Sequence, residues 1–233
     1  MISIIIPTLN EENYIDKTLR SLKNQNFEGK YEIIVVDGMS KDNTVRIAKK
    51  YADKVIVTKK RGIAVGRNLG AKNAKGEILL FCDADTILLS NTLTEISKQF
   101  KKRNVICVAI PIVPLSSQFK DFILYWMYNI FMKNSIKTGN AQIPGVCVAY
   151  RKDIFDKVGG FNETIETWED YDLSSRINKC GKIVYLNTTL ALTSPRRFEA
   201  WGRTKAILKY VGFHIKYLIT GKGPSVKYYE PIR

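Results

Sequence analysis

The sequence predicts an α/β protein built around a mostly parallel sheet. In the first half of the chain, short apolar runs rich in β-branched residues alternate with helical patterns, as expected for βαβ units. Connections of about two to six residues separate these segments, which fits the same fold class. With 233 residues, 45% of them apolar, the chain can form one large domain or two closely packed halves.

The alternating pattern runs to residue 110. The expected strands are SIIIP (3–7), YEIIVVD (31–37), KVIVT (54–58), EILLFCD (77–83) and VICVAI (105–110). The expected helices cover about 12–26, 41–52, 62–74 and 90–102, and Asp42 or Asn43 is available to cap the second. Pro7 should stop the first strand, because proline has no N–H for the ladder.

A different pattern begins after Pro111. Apolar residues recur with the spacing of one helical face; they are Phe119, Phe122, Ile123, Trp126, Met127, Ile130 and Phe131. This face fits either burial against the sheet or partial insertion into a membrane interface near an apolar acceptor. Downstream we expect a strand, a short helix ending at Gly159-Gly160, and a long basic helix from about Trp201 to Leu218.

The net charge of +15 comes from 37 Lys and Arg against 22 Asp and Glu. It favours anionic partners: nucleotides, phosphorylated small molecules, nucleic acid or an anionic membrane surface. The excess is high near the C-terminus, where Arg196 to Arg233 holds nine basic and two acidic residues.

The four cysteines are isolated and the chain has one histidine, so we expect buried free thiols rather than a zinc site.

We expect a single domain over residues 1–233, cytoplasmic and at most peripheral to the inner face of the cell membrane. The N-terminus MISIIIPTLN has no basic leader or cleavage site. The longest strongly apolar stretch, FILYWMYNIFM, has about 11 residues, whereas a helix needs about 20 to span a bilayer.

The fourth strand ends in two like charges, Asp83 and Asp85, within ILLFCDADTIL. Residues two apart in an extended chain point the same way and lie about 6 to 7 Å apart. At that distance two unit charges repel by roughly 3 kcal/mol at an effective dielectric near 20. A hard divalent cation relieves this repulsion, since Mg²⁺ commonly joins one or two carboxylates to substrate phosphates. An ordinary polar turn is the alternative.

Two neighbouring strand ends add polar groups at the edge where parallel α/β sheets bind ligands. PTLNEE places Thr8, Asn10 and Glu11 there, and YEIIVVD ends at Asp37, whose carboxylate can accept a hydrogen bond from a nucleobase. Arg67 lies on the helix before the DAD strand, and we expect that its long side chain can reach a base or diphosphate. Together these groups predict a metal–nucleotide site, although a turn, a cap or a surface arginine explains each one singly.

Five blocks of sequence resemble, in order and spacing, family 2 glycosyltransferases of the GT-A fold. They are SIIIPTLNEE, YEIIVVDGMSKDNT, GRNLGAKNAKGEILLFCDAD, VAYRKDIFDKVGGFNE and WEDYDLSSRI. The resemblance covers about residues 2–203 and implies a Rossmann-like, mostly parallel sheet flanked by helices. It also implies a nucleotide-sugar half of about 1–110 and an acceptor half of about 111–233.

The resemblance implies inverting transfer from a nucleoside diphosphate sugar to a hydroxyl acceptor. A UDP-sugar is favoured over a GDP-sugar, and a polyprenyl-linked carrier is one candidate acceptor. Asp83 and Asp85 match the DxD metal pair for Mg²⁺ or Mn²⁺, and Asp170 of the Glu169-Asp170 motif resembles the general base. The implied donor-binding positions are Pro7, Thr8, Asn10, Glu11, Asp37, Arg67, Asp83, Ala84, Asp85, Arg196 and Arg197.

Some positions depart from the family pattern. Gly38 follows Asp37 where many members have a second aspartate, and Leu9 stands where an aromatic residue is common. SPRRFEAWGR is only distantly similar to the Q-x-x-R-W motif of processive synthases, although the guanidinium groups of Arg196 and Arg197 suit a diphosphate.

The acidic pair Glu169-Asp170 leaves alternatives open. Glu169 and Asp172 are rivals of Asp170 for the role of base. Acidic residues in the first turn of a helix also stabilise its dipole, which is a purely structural explanation.

Two other functions are compatible with parts of the sequence. A sugar-phosphate nucleotidyltransferase would use a similar sheet, but PTLNEENY lacks the Gly-rich phosphate loop expected there. Charge alone would suit a nucleic-acid-binding protein, but no RNP-like strand, helix-turn-helix or zinc finger is present. Because processive synthases typically carry transmembrane helices, we expect transfer of one sugar, and we expect no nucleic-acid partner.

Overall fold

The computed structural model describes residues 1–220. Its ten strands are β1 (Ile2–Thr8), β2 (Tyr31–Asp37), β3 (Lys54–Val57), β4 (Ile78–Cys82), β5 (Thr86–Leu88), β6 (Val105–Ala109), β7 (Ile112–Pro114), β8 (Cys147–Arg151), β9 (Lys182–Tyr185) and β10 (Ala191–Thr193). Its nine helices are α1 (Ile15–Lys23), α2 (Thr44–Ala48), α3 (Ile63–Asn73), α4 (Thr92–Phe100), α5 (Phe119–Lys137), α6 (Lys152–Lys157), α7 (Glu169–Ile177), α8 (Arg196–Trp201) and α9 (Arg203–Thr220). These counts refer to the described range alone.

The central sheet has seven strands in the order β3-β2-β1-β4-β8-β6-β9. Neighbouring strands are parallel except where β8 runs antiparallel to both β4 and β6. The predicted α/β class with a mostly parallel sheet is therefore confirmed. Because β8 and β9 come from the second half of the chain, both halves build the same sheet.

Helices cover both faces of this sheet, which explains why its strands are apolar almost throughout. Successive side chains of β1 alternate between the two resulting cores: Ile4 and Ile6 pack on one side, and Ile5 packs on the other. On the second side α3 approaches β1 closely at Gly70. This close packing places the rest of α3, including Arg67, beneath the ends of the central strands.

The sequence predicted that the first strand stops at Pro7, and this is wrong. Strand β1 continues to Thr8, with Pro7 opposite Val36 and Thr8 opposite Asp37. Pairing with β4 on the other side already ends at Ile5. Beyond Ile5 the strand has one neighbour in the ladder, so a residue without an N–H is tolerated there.

A second, three-stranded sheet in the order β5-β10-β7 was not predicted. Each of its strands has three residues, too few to give a periodic signal. Strand β5 begins directly after Asp85 and pairs with β10 from the second half of the chain. This sheet therefore fastens the DAD segment to the second half of the protein.

Helix α5 (Phe119–Lys137) contains the predicted apolar face, but this face is not oriented as one of the two interpretations expected. The seven apolar residues from Phe119 to Phe131 are 40% to 77% exposed, so burial of that face against the sheet is wrong. The inward face instead carries Tyr125, Met132 and the buried Asp121. Asp121 can lie inward because Arg203 forms an ion pair with it.

The C-terminal segment differs from the sequence prediction in one detail. Gly202, with φ of 77°, separates α8 from α9, a backbone conformation that favours glycine. Part of the predicted basic excess, at Lys222, Lys227 and Arg233, lies outside the described residues.

Three cysteines are buried as expected, whereas Cys180 is exposed. Within residues 1–220, no helix combines the length and apolarity needed to cross a bilayer.

The close contact at Gly70 predicts a stability defect. A Cβ at this position would lie 2.3 Å from Cγ2 of Ile5 and 3.3 Å from Cγ2 of Val36. We expect Gly70→Ala to lower the free energy of unfolding by about 1–3 kcal/mol, because overpacking outweighs the better helix propensity of alanine. Urea denaturation measures this change.

Gly212→Ala is the matched control, because Gly212 lies inside α9 and a Cβ there meets nothing within 4 Å. It should be neutral or stabilising by up to about 1 kcal/mol. Equal effects of the two substitutions would contradict the packing argument.

Candidate active site

The carboxyl ends of β1, β2 and β4 adjoin because these three strands are parallel neighbours. The hydroxyl of Thr8 donates to Asp37 Oδ2 at 3.0 Å. Asp37 is completely buried, and it also accepts hydrogen bonds from the backbone N–H of Ser40 at 2.8 Å and from its hydroxyl at 2.5 Å. The first two strand ends are thus joined through the Asp37 carboxylate.

The loop after β1 is tied to the loop after β2 by Asn10. Its backbone N–H donates to the Ser40 hydroxyl at 2.7 Å, and its side-chain oxygen accepts from Lys41 N–H at 2.8 Å. Asn10 has a left-handed φ of 56°, which asparagine tolerates better than most residues. Asn10 therefore forms part of the floor of the crevice at the carboxyl ends of these strands.

The DAD segment is held at both ends by backbone hydrogen bonds. Asp83 N–H donates to Val146 O at 3.0 Å, and Ser194 N–H donates to Asp85 O at 3.3 Å. The side chain of Asp83 is 28% exposed and that of Asp85 is 9% exposed, while Ala84 is buried between them. Both carboxylates thus lie at the rim of the crevice with limited access to solvent.

Arg196 neutralises two of the carboxylates at this rim. Its two terminal nitrogens donate to the two oxygens of Glu11 at 2.8 and 2.9 Å, and its Nε lies 3.1 Å from Asp85 Oδ2. The guanidinium also stacks over Tyr14, 4.7 Å from the ring centre. Burial raises the pKa of Asp85 to about 6, against the lowering effect of Arg196.

Arg67 connects the DAD segment to the acidic pair from the second half of the chain. It is buried, and it donates from Nη1 to Glu169 Oε1 at 2.6 Å and from Nη2 to Asp83 Oδ1 at 3.0 Å. Nη2 also donates to Gly145 O at 3.1 Å, and the guanidinium lies 5.1 Å from the ring centre of Phe161. Contact with a nucleotide, as predicted from sequence, would require this group to leave these partners.

Glu169 and Asp170 begin α7 but have different environments. Glu169 is buried against Arg67, whereas Asp170 is partly exposed. The carboxylate of Asp170 accepts from Gly145 N–H at 2.8 Å and from Tyr171 N–H at 2.9 Å. Burial raises the pKa of Glu169 to about 7 and also raises that of Asp170, with Arg67 opposing both shifts. Asp170 is therefore the oriented, accessible carboxylate of the pair.

Asp172, the third acidic residue, has different partners. Its carboxylate pairs with Arg176 at 2.6 Å, and Arg176 also donates to the carbonyl oxygens of Val158 and Gly160. Through these bonds, Asp172 and Arg176 attach the loop that follows α6 to helix α7.

The turn before the acidic pair is held by aromatic packing. Trp168 has a left-handed φ of 69°, which is unfavourable for a bulky residue. It is buried against Tyr171 and Phe213, whose ring centres each lie 5.8 Å away. This packing holds the conformation from which Glu169 and Asp170 enter the site.

The site offers two carboxylates, Asp83 and Asp85, for a divalent cation. Across residues 1–220 there is no group of three or more His, Cys, Asp or Glu side chains arranged to hold a metal. Two carboxylate ligands suit Mg²⁺ or Mn²⁺ when water and substrate phosphate oxygens complete the coordination. The donor set therefore fits a cation that binds together with a phosphorylated substrate.

Three residues contribute to the site without having been singled out from the sequence. The hydroxyl of Ser40 donates to Asp37, and the ring of Tyr14 packs against the guanidinium of Arg196. The carbonyl oxygen of Gly145 accepts from Arg67, and its N–H donates to Asp170. A Cβ at Gly145 would lie 2.4 Å from Nη2 of Arg67, so glycine is required for this approach. The glycine just before the buried run VCVAY was the signal available in the sequence.

Arg197 lies near Arg196 in sequence but packs differently. Its Nη1 donates to the hydroxyl of Tyr210 at 3.3 Å, and its guanidinium lies 5.8 Å from a ring centre of Trp201. In the structure, Arg197 thus joins α8 to α9.

The fold is similar to those of two solved glycosyltransferases. Mannosyltransferase PcManGT from Pyrobaculum calidifontis, in complex with GDP-Man and Mn²⁺, matches with a TM-score of 0.73 at 24% identity, over 96% of this chain and 65% of that one. TarS 1–349 from Staphylococcus aureus, in complex with UDP-GlcNAc, matches with a TM-score of 0.69 at 23% identity, over 84% of this chain and 58% of that one. These likenesses confirm the predicted GT-A fold.

Sequence comparison identifies relatives and a family. Poly(ribitol-phosphate) beta-N-acetylglucosaminyltransferase TarS of Staphylococcus aureus is 38% identical over 100 residues, which is 40% of this chain and 18% of that protein. An uncharacterized glycosyltransferase of Rickettsia typhi is 29% identical over 197 residues, which is 79% of this chain and 61% of that protein. The chain thus spans less than two thirds of either relative. The model of glycosyl transferase family 2 matches residues 3–159, more than half of the chain, and this protein therefore belongs to that family.

Proposed function

We propose that this protein transfers one sugar from a nucleoside diphosphate sugar to an acceptor hydroxyl, with metal dependence and inversion at the anomeric carbon. The observation that carries the proposal is the Arg67 bridge, with 3.0 Å to Asp83 on the donor side and 2.6 Å to Glu169 on the acceptor side. A single guanidinium therefore lies between the DAD carboxylates and the Glu169-Asp170 pair. Donor phosphates at Asp83 and an acceptor at Asp170 would meet in one crevice.

The ends of β1 and β2 would bind the nucleoside. Thr8, Asn10 and Asp37 form the hydrogen-bonded floor there, and Pro7 and Glu11 flank it. A UDP-sugar is the favoured donor and a GDP-sugar the second, in line with the UDP-GlcNAc and GDP-Man bound to the two solved glycosyltransferases.

Asp83 and Asp85 would hold Mg²⁺ or Mn²⁺ together with the donor diphosphate. Such a cation supplies positive charge that stabilises the diphosphate as leaving group. Arg196 already lies 3.1 Å from Asp85, and its guanidinium is suited to the phosphate oxygens. Arg197, one residue further on, is the second candidate for this contact.

Asp170 would act as the general base. An acceptor hydroxyl becomes a good nucleophile when a carboxylate removes its proton during attack. The new bond to the anomeric carbon forms as the bond to the diphosphate oxygen breaks on the opposite face, so the configuration inverts. Two backbone N–H groups orient Asp170 for this step, whereas Glu169 is engaged by Arg67 and positions the site.

A donor panel provides the direct test of the proposal. The protein is incubated with UDP- and GDP-sugars, with Mn²⁺, Mg²⁺ or EDTA, and with hydroxyl acceptors that include polyprenyl-linked sugars and a membrane extract. We expect metal-dependent release of one nucleoside diphosphate, and NMR should show a product anomer opposite to that of the donor. Retention of configuration, or full activity in EDTA, would contradict the mechanism.

Asp85→Ala should abolish the metal-dependent stabilisation of the protein by UDP or GDP. The physical reason is the loss of a cation ligand at the diphosphate. Thermal shift with and without Mn²⁺ measures it. The control is Asp156→Ala, which removes an exposed carboxylate on α6 and should leave the nucleotide response intact.

Asp170→Asn should preserve donor binding and reduce transfer by about 100- to 10,000-fold, as expected when a general base is lost. Asp172→Asn is the matched control, because this carboxylate pairs with Arg176 outside the proposed chemistry. Initial rates and donor affinity are measured for both variants. Full transfer by the Asp170 variant would show that the base is another residue.

Arg67→Met should lower the free energy of unfolding by about 3–5 kcal/mol, because it leaves the buried carboxylate of Glu169 and the partly buried one of Asp83 without their cation. Adding Glu169→Gln should recover part of that loss, giving a coupling of more than about 1 kcal/mol in a double-mutant cycle. Urea denaturation of the two single variants and the double variant measures the coupling. Additive effects would mean that the bridge between the two halves contributes little.

A further inference from the structure

Two helices of the second half expose large apolar side chains that the packing of residues 1–220 leaves uncovered. On α5 these are Phe119, Phe122, Ile123, Trp126, Met127, Ile130 and Phe131, and on α9 they are Ile207, Leu208, Val211, Ile215 and Ile219, all between 38% and 78% exposed. We call these twelve side chains the apolar ridge. So many exposed apolar groups on two helices mark an interaction surface rather than isolated surface residues.

The ridge follows the helical period on both helices. In α5 the inward residues Tyr125 and Met132 are buried, and the ridge residues lie on the other faces. In α9 Ala206 is buried, while Leu208, Val211 and Ile219 recur on the outward side. Each helix is therefore packed on one face and apolar on a face that it presents to solvent.

The two helices are joined, so their exposed faces belong to one surface. Arg203, the first residue of α9, donates to the buried Asp121 of α5 at 2.9 Å. Further along, the rings of Phe131 and His214 meet edge to face with their centres 5.6 Å apart. An ion pair at one end and a ring contact further along fix the helices relative to each other.

Positive charge accompanies the ridge. Helix α9 carries no acidic residue, and Asp121, the acidic residue of α5, is neutralised by Arg203. The lysines of the two helices are Lys120, Lys133, Lys137, Lys205, Lys209 and Lys216. Apolar and aromatic side chains flanked by lysines match the interface of a bilayer that contains anionic lipids.

The ridge lies one layer of side chains away from the candidate base. Trp168 and Tyr171, which flank Glu169-Asp170 in sequence, contact Phe213 and His214 of α9 with ring centres 5.8 and 5.9 Å apart. The hydroxyl of Tyr171 is also 3.0 Å from that of Tyr128 on α5. A surface that docks through these helices would therefore lie beside the acceptor side of the crevice.

We propose that α5 and α9 form a docking surface that inserts the apolar ridge into the interface of an anionic bilayer, with both helices lying along the membrane. Docking would present a lipid-borne acceptor hydroxyl to Asp170, and this use of the surface rests on the proposed transferase function. A second copy of the chain fits less well. A symmetric dimer brings the same patch of each copy together, so the lysines beside the ridge would repel one another.

Flotation of the full chain with vesicles tests the docking. Vesicles of phosphatidylglycerol and phosphatidylcholine in equal parts should bind the protein, and phosphatidylcholine alone should bind it weakly. Met127→Glu should reduce the partition coefficient by about tenfold or more, because it places a charge where an apolar side chain inserts. Lys205→Gln and Lys216→Gln should each reduce it by about fivefold on the anionic vesicles.

Val57→Glu is the matched control for Met127→Glu. Val57 is 56% exposed, the same as Met127, but it lies on β3 at the opposite edge of the sheet from β9. We expect Val57→Glu to bind vesicles like the parent protein. Equal losses for the two variants, or no binding to the anionic vesicles, would overturn the proposal. Light scattering that shows a dimer dissociated by Met127→Glu, without vesicle binding, would also overturn it and assign the ridge to a second copy.

Nucleotide binding separates failure of this inference from failure of the proposed function. Thermal shift with UDP or GDP and Mn²⁺ is measured without vesicles on the parent protein and on Met127→Glu. A nucleotide response that persists in both, with no vesicle binding by the parent, rejects docking and leaves the transferase proposal standing. Vesicle binding without any nucleotide response supports docking and rejects the transferase proposal.

Discussion

The buried guanidinium of Arg67 is the interaction on which the organisation of this site depends. It lies between carboxylates separated by 86 positions in the chain, Asp83 and Glu169, and bonds both. Burial of a charge is unfavourable unless it is paired and hydrogen-bonded, and Gly145 supplies a further acceptor. Because the guanidinium stabilises both carboxylates, it holds the DAD segment and the start of α7 beside each other.

A second arginine has a comparable role at the rim. Arg196 joins Glu11 after β1 to Asp85 after β4, and the small β5-β10-β7 sheet holds the backbone around it. Two arginines thus oppose four carboxylates that would otherwise repel one another: Asp83 and Glu169 pair with Arg67, and Glu11 and Asp85 pair with Arg196. For a ligand that carries both a metal ion and a diphosphate, such a site provides carboxylate ligands and a guanidinium in the same place. The outward faces of α5 and α9 lie outside this site, and their apolar side chains are exposed in the described part of the chain.

Much of the fold could be predicted from the sequence because its signals are local. Strands β1 to β4 and their helices follow from alternating apolar runs and helical periods, and the resemblance to a known family supplied the overall fold. The three-residue strands β5, β7 and β10 gave no signal, because pairing between distant segments forms them. Periodicity identified the apolar face of α5 but not its direction, since the inward side is packed against distant segments, as in the ion pair between Asp121 and Arg203.

The sequence by itself determined the α/β class, the family, and the acidic and basic residues gathered at strand ends and at the start of α7. Only the tertiary structure decided how those charges are distributed: Arg67 lies beneath the site, Arg196 at its rim, Asp170 partly open and Glu169 buried. The reason is physical. Residue type and spacing record local propensity, whereas the partner of a buried charge is chosen by contacts between segments far apart in the chain, and one sequence carries no direct signal of those contacts.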